Sequence, residues 1–205
     1  MQKKTSKEFR MIAEEKCSKF SNKLALIFFV YSLLMGVVSG ISSGFASILV
    51  TGPVALSLLL ISKKVYNAEE PEIEDLLEGF KDFGNTFVLY LLQSIFVFLW
   101  SLLFIIPGII KAYSYSIALY IYEEDKTLSA TQAIEKSKQL MDGNKFDLFK
   151  LHFSYLGWYL LGILTCGILF FWIQPKVEVA TYAFYLNITG KDVPAANEQI
   201  TIELV

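Results

Sequence analysis

The chain has 205 residues, 54% hydrophobic and 19% charged, with a formal net charge of -2 and a mean hydropathy of +0.48. These values exclude an ordinary soluble domain of this length, and the near-zero charge, segregated into a few segments, excludes a nucleic-acid footprint. The expected partner is the lipid bilayer, with no nucleic acid.

In chain order, Phe9, Ile12, Ala13, Cys17, Phe20 and Leu24 recur at three- and four-residue spacing and predict an amphipathic helix. Leu24 to Ser62 then carries no charge. A spanning helix needs about 20 apolar residues, so this block predicts two helices, broken by the small residues of Ser39-Gly40-Ile41-Ser42-Ser43-Gly44. Ile73, Leu76, Leu77, Phe80 and Phe83 predict a second amphipathic helix, ahead of a block from Thr86 to Tyr122 whose one charge is Lys111 and whose turn is expected at Pro107-Gly108. Ala130, Ala133, Ile134, Ser137, Leu140 and Met141 predict a third, starting at Ser129 with Gln132 placed for a capping box. The last block, Phe153 to Ile188, has only Lys176 and Glu178 as charges and an expected turn at Thr165-Cys166-Gly167.

The expected fold is therefore all-α: a polytopic membrane helical bundle of about six transmembrane helices, arranged as three hairpins at about 24–62, 83–122 and 146–187. Each hairpin is preceded by a cytoplasmic amphipathic helix. One integral membrane domain is expected over 1–190, with a polar tail at 191–205. With the N-terminal segment inside, every Lys and Arg except Lys111 and Lys176 falls on the inner side. One helix per block for the second and third would instead strand Lys126, Lys136, Lys138, Lys145 and Lys150 outside, against the positive-inside bias. A cleaved signal peptide fits less well than a retained first helix, because the basic segment is long and Phe45 to Ile61 follows at once.

Internal similarity suggests one unit used three times. Trp100 to Ile106, followed by Pro107-Gly108, aligns without a gap on Trp158 to Leu164, followed by Thr165-Cys166, and Leu76 to Lys81 resembles Leu140 to Lys145. All units would enter from one side, a parallel repeat, unlike the inverted repeats common in transporters.

The stretch from Trp100 to Tyr115, the elements Ser137-Lys138 and Met141-Asp142-Gly143-Asn144-Lys145, and the run from Gly157-Trp158 to Gly167 resemble a bacterial integral membrane family catalogued as domain of unknown function nine hundred and seventy-five. The likeness covers nearly the whole chain. A looser one is to the membrane domain attached to some glycerophosphodiester phosphodiesterases, whose catalytic domain has no counterpart here. The resemblance implies a bacterial cytoplasmic membrane and transfers no catalytic residues.

Chemistry-bearing motifs are sparse. A single histidine, His152, cannot build a metal cluster, and Cys17 and Cys166 are predicted on opposite sides of the membrane, so neither a zinc site nor a disulfide is expected. No phosphate loop, dinucleotide fingerprint or nucleophile elbow occurs, and no cofactor is expected. The acidic run Glu69 to Asp82 fits no calcium loop and reads as a solvated helix face.

The informative residues are polar groups inside the apolar blocks: Glu178, Lys176, Gln174, Lys111 and Gln93. Such groups are costly in hydrocarbon and by default suggest function. Lys111, just past its expected turn, could instead snorkel to headgroups. Gln174, Glu178, Thr181, Tyr182 and Tyr185 share one face of the last helix, expected to point into the bundle, with Lys176 on another face beside Pro175. The leading functional expectation is a non-enzymatic membrane scaffold or accessory protein that engages a membrane or cytoplasmic protein partner. The alternative is a small transporter or channel.

Overall fold

The computed structural model describes residues 4–41, 45–165 and 167–191, which form helices joined by short turns and loops, with no strand among them. Helix α1 (Ser6–Ser18) opens with a capping box, the Thr5 side chain accepting from the Glu8 amide while Glu8 accepts from Thr5. It buries Phe9, Ala13 and Cys17 and turns through Phe20 into α2 (Ser21–Ile41). Helix α3 (Phe45–Tyr66) follows, and residues 42–44 of the expected first turn lie outside the described residues.

The segment Ile73–Asp82 is a 3-10 helix, not the α-helix its sequence predicts. Three residues per turn align Leu76 with Gly79 on the buried face, while Ile73 at the start of the segment and Leu77 stay exposed, so only part of the expected stripe points inward. The segment runs antiparallel to α3: Lys64 pairs with Asp75 at 2.5 Å, and the Gly79 amide donates to Ser57 Oγ at 2.9 Å. It leads directly into α4 (Phe83–Leu103).

The second turn lies three residues before its expected position. Phe104 is extended (φ -159°, ψ 144°), and Pro107-Gly108 belongs to the first turn of α5 (Ile105–Tyr115). Proline cannot donate to the carbonyl four residues back and its ring clashes there, so α4 must stop before Pro107. In the first turn of a new helix the missing N–H costs nothing. Gly108 lets the two legs close up, since a Cβ there would stand 2.9 Å from Ser101 Cα. Trp100 is thus four residues from its break, whereas Trp158 is seven from Thr165, and the ungapped alignment of the two segments does not carry over to the turns.

Helix α6 (Ala118–Glu124) completes that leg. Helix α7 (Ala130–Leu140) is capped by Ser129 and Gln132 and hangs on the leg through Ser137 Oγ, which donates to the Ser114 carbonyl at 2.9 Å. Helices α8 (Lys145–Phe153) and α9 (Leu156–Leu164) are separated at Ser154-Tyr155, and Cys166 of the expected third turn lies outside the described residues. Helix α10 (Phe170–Thr189) packs against α1, α2 and α3, is buried on every side from Val179 to Leu186, and ends at Gly190 in the left-handed region (φ 73°), with the Lys191 amide closing on the Leu186 carbonyl.

Four stretches among the described residues are long and apolar enough to cross a membrane: Ser21–Gly40, Leu49–Tyr66, Ile73–Leu102 and Ile105–Glu124. The last two of the six expected spans are not among them. Helix α9 has nine residues, about 14 Å at 1.5 Å per residue, and α10 carries Gln174, Lys176 and Glu178.

Exposed apolar side chains gather near the breaks between helices: Leu33, Leu34 and Val37 late in α2, Leu102, Phe104 and Ile105 at the second break, and Ile163, Leu164 and Ile168 at the third. The ion pairs Lys23–Glu70, Lys64–Asp75 and Lys191–Glu124 join helix ends remote from those breaks. Leaving a large apolar side chain in water costs about 1.5–3 kcal/mol. Clustered at three tips, these side chains form exposed apolar surface of the kind a bilayer covers.

Candidate functional site

The five polar residues singled out from the sequence do not converge. Gln93 Nε2 donates to the Tyr115 carbonyl at 2.6 Å, a bond between the legs of the second helix pair. Lys111 Nζ lies 4.5 Å from the centroid of the Trp100 ring, seven residues beyond the break at Phe104 instead of three beyond a Pro-Gly turn. Gln174 is half-buried.

Lys176 does not meet Glu178. Its ammonium pairs with Glu14 of α1 at 3.2 Å and stands 5.9 Å from the Trp158 ring. Beside it, Arg10 Nη1 donates to the Ser154 carbonyl at 3.0 Å, and its guanidinium lies over the Tyr155 ring at 5.2 Å. Arg10, Glu14, Tyr155, Trp158, Leu169, Trp172, Ile173 and Lys176 line one small open cleft. Sequence patterning marks Arg10 and Glu14 as neighbours on one helix face, four residues apart. It carries no signal that this face meets α10.

Glu178 is half-buried and makes no hydrogen bond or ion pair with a described residue. Its carboxyl lies within electrostatic reach of Tyr31 on α2, Tyr120 on α6 and Tyr159 on α9. One turn along α10, Thr181 Oγ1 donates to the Val177 carbonyl at 2.8 Å, so its 3.2 Å contact with His152 Nε2 must be accepted from an Nε2–H. Nδ1 then accepts from the Tyr113 hydroxyl at 3.4 Å. The network assigns His152 as the neutral Nε2–H tautomer. No group of three or more His, Cys, Asp or Glu side chains suited to a metal ion occurs among the described residues.

Cys17 faces the same interior, 3% exposed, and burial pushes its thiol from 9.0 up to about 12 against the opposing charge of Lys176. At pH 8 that leaves almost no thiolate, the species that attacks maleimide. In a Cys166→Ser chain, maleimide at pH 8 is therefore expected to leave Cys17 unmodified over a period in which the SDS-unfolded chain is fully labelled. Equal rates in the two states would contradict this burial.

Residues 102–192, just under half of the chain, match the model of a family described as Protein of unknown function (DUF975). The match supports that unknown-function family for the segment from the end of α4 through α10, which holds Lys111, His152, Lys176 and Glu178; α1, which supplies Arg10 and Glu14, lies outside it. No curated protein and no solved structure matches the chain.

Proposed function

We propose that the chain is a multi-pass protein of a bacterial cytoplasmic membrane, a non-enzymatic scaffold that holds a cytoplasmic helical body against the inner leaflet. The four long apolar stretches would cross the bilayer as two hairpins, with the ends before α1 and after α10 cytoplasmic. The third hairpin, α9 and the start of α10, would enter and leave from the cytoplasmic side. Two features support this depth. Arg10 and Glu14 of α1 stand level with Ser154–Trp158 and Lys176, and the Glu14 side chain is 67% exposed, which hydrocarbon does not tolerate. Beyond that level only six residues remain on each leg before Leu164 and Phe170, about 9 Å of helix, against a hydrocarbon core of about 30 Å. An even number of crossings keeps the Lys and Arg bias of the six-helix expectation intact.

The observation that carries the scaffold reading is that Gln93, Lys111 and Lys176 are each engaged in a contact between elements. They are not strung along a path. The exposed Glu135, Lys136 and Lys138 face of α7 is the proposed platform for a protein partner. The transporter reading has one observation in its favour, the Glu178 carboxyl among Tyr31, Tyr120 and Tyr159.

A photo-crosslinker placed at Lys136 in native membranes tests the two. A scaffold gives one adduct of discrete mass there and none at Leu102. No adduct at Lys136, together with solute or proton flux into proteoliposomes that Glu178→Gln abolishes, would overturn the scaffold and favour transport.

A further inference from the structure

We infer that the cleft between α1 and the α9–α10 pair binds the phosphate of an anionic phospholipid headgroup. The inference rests on the membrane reading above. Arg10 and Lys176 line the cleft with a single carboxylate, Glu14, leaving it one positive charge in excess. Arg10 is held by the Ser154 carbonyl and the Tyr155 ring, which orient its guanidinium and leave further N–H donors for a phosphate oxygen. Lys176 is held by Glu14, whose side chain is two-thirds exposed and free to turn outward when a phosphate takes the ammonium.

The surroundings fit a lipid better than a free anion. Trp158 and Trp172 line the cleft, 40% and 38% exposed, the amphipathic residues that settle at headgroup level. Leu161 and Leu164, one and two turns above Trp158 and 48% and 80% exposed, continue toward the tip as an apolar track for acyl chains. The net positive charge favours an anionic headgroup and opposes the choline of a zwitterionic one.

The test uses the full chain with Trp100→Phe, so that Trp158 and Trp172 are the reporters, reconstituted in phosphatidylcholine vesicles. Brominated-acyl phosphatidylglycerol or brominated-acyl phosphatidylcholine is added at the same low mole fraction and tryptophan quenching is read. Phosphatidylglycerol is expected to be preferred by roughly fivefold per cationic side chain at the headgroup. Lys176→Gln and Arg10→Gln should each reduce the preference by about that factor, while Lys176→Arg should keep it. Inorganic phosphate at about 10 mM, with ionic strength held by chloride, should not displace the lipid. Equal quenching by the two lipids, or a preference that Lys176→Gln leaves intact, would overturn the inference while the membrane reading stands. Displacement by inorganic phosphate would overturn the lipid as ligand in favour of the free anion. A chain that fails to float with either vesicle would remove the membrane reading itself.

Discussion

Gly79→Ala is expected to cost most of the folded protein, whereas Gly84→Ala, five residues on, should be harmless. A Cβ on Gly79 would stand 2.0 Å from the Pro53 carbonyl oxygen and 2.8 Å from the Ser57 backbone nitrogen, neither of which can move without deforming α3. The same position carries the Gly79 amide bond to Ser57 Oγ, which in turn donates to the Leu76 carbonyl at 2.8 Å, so pushing the segment away also strands buried polar groups. Overpacking alone costs about 1–3 kcal/mol, and loss of the Ser57 junction adds about 1 kcal/mol or more. Around Gly84 nothing lies within 4 Å of the would-be Cβ, and alanine there gains helix propensity of up to about 1 kcal/mol. The check is the monodisperse fraction of each variant after a heat step in detergent. Equal survival of the two would show that the 3-10 segment does not seat on α3 as described.

That junction also shows what the sequence can carry. Hydrophobic spacing identifies Ile73 to Phe83 as a helix with one buried side, but a period of 3.6 and a period of 3 select different residues over ten positions. Close contact with Pro53 and Ser57, which lie some 22 to 26 residues earlier, decides between them. The Ser129–Gln132 cap was legible because it is local, two side chains three residues apart satisfying each other's backbone amides. The second turn was legible in kind and misplaced in position, because Pro107 marks the start of the following helix and not the end of the preceding one.

The candidate polar residues divide along the same line. That Lys111, Lys176 and Glu178 interrupt apolar blocks is plain from composition. Their neighbours, Trp100, Glu14 and the three tyrosines within electrostatic reach, are set by which helices touch, and only Trp100 is near in sequence. The depth of Lys176 is the sharpest case. Counted along an uninterrupted sixth helix it falls well inside the hydrocarbon. Paired with an exposed Glu14 on α1, it falls at the cytoplasmic surface in the proposed topology, in which α9 and α10 do not cross.

The depth of the third hairpin is where the account is most exposed. In a chain lacking Cys17 and Cys166 through serine replacement, a single cysteine is placed either at Ser39, late in α2, or at Thr165, directly after α9. Intact cells are treated with a membrane-impermeant thiol reagent. A tip that stops within the inner half of the bilayer keeps Thr165→Cys at least about 10 Å of hydrocarbon from the outer surface, given a core of about 30 Å, and thiols do not react without water to ionise them. The account predicts that Ser39→Cys labels from outside and Thr165→Cys does not. Labelling of Thr165→Cys from outside at the rate of Ser39→Cys would show that the third hairpin crosses the membrane, and would contradict the one-sided insertion on which the cytoplasmic body of α1, α7 and α10 depends.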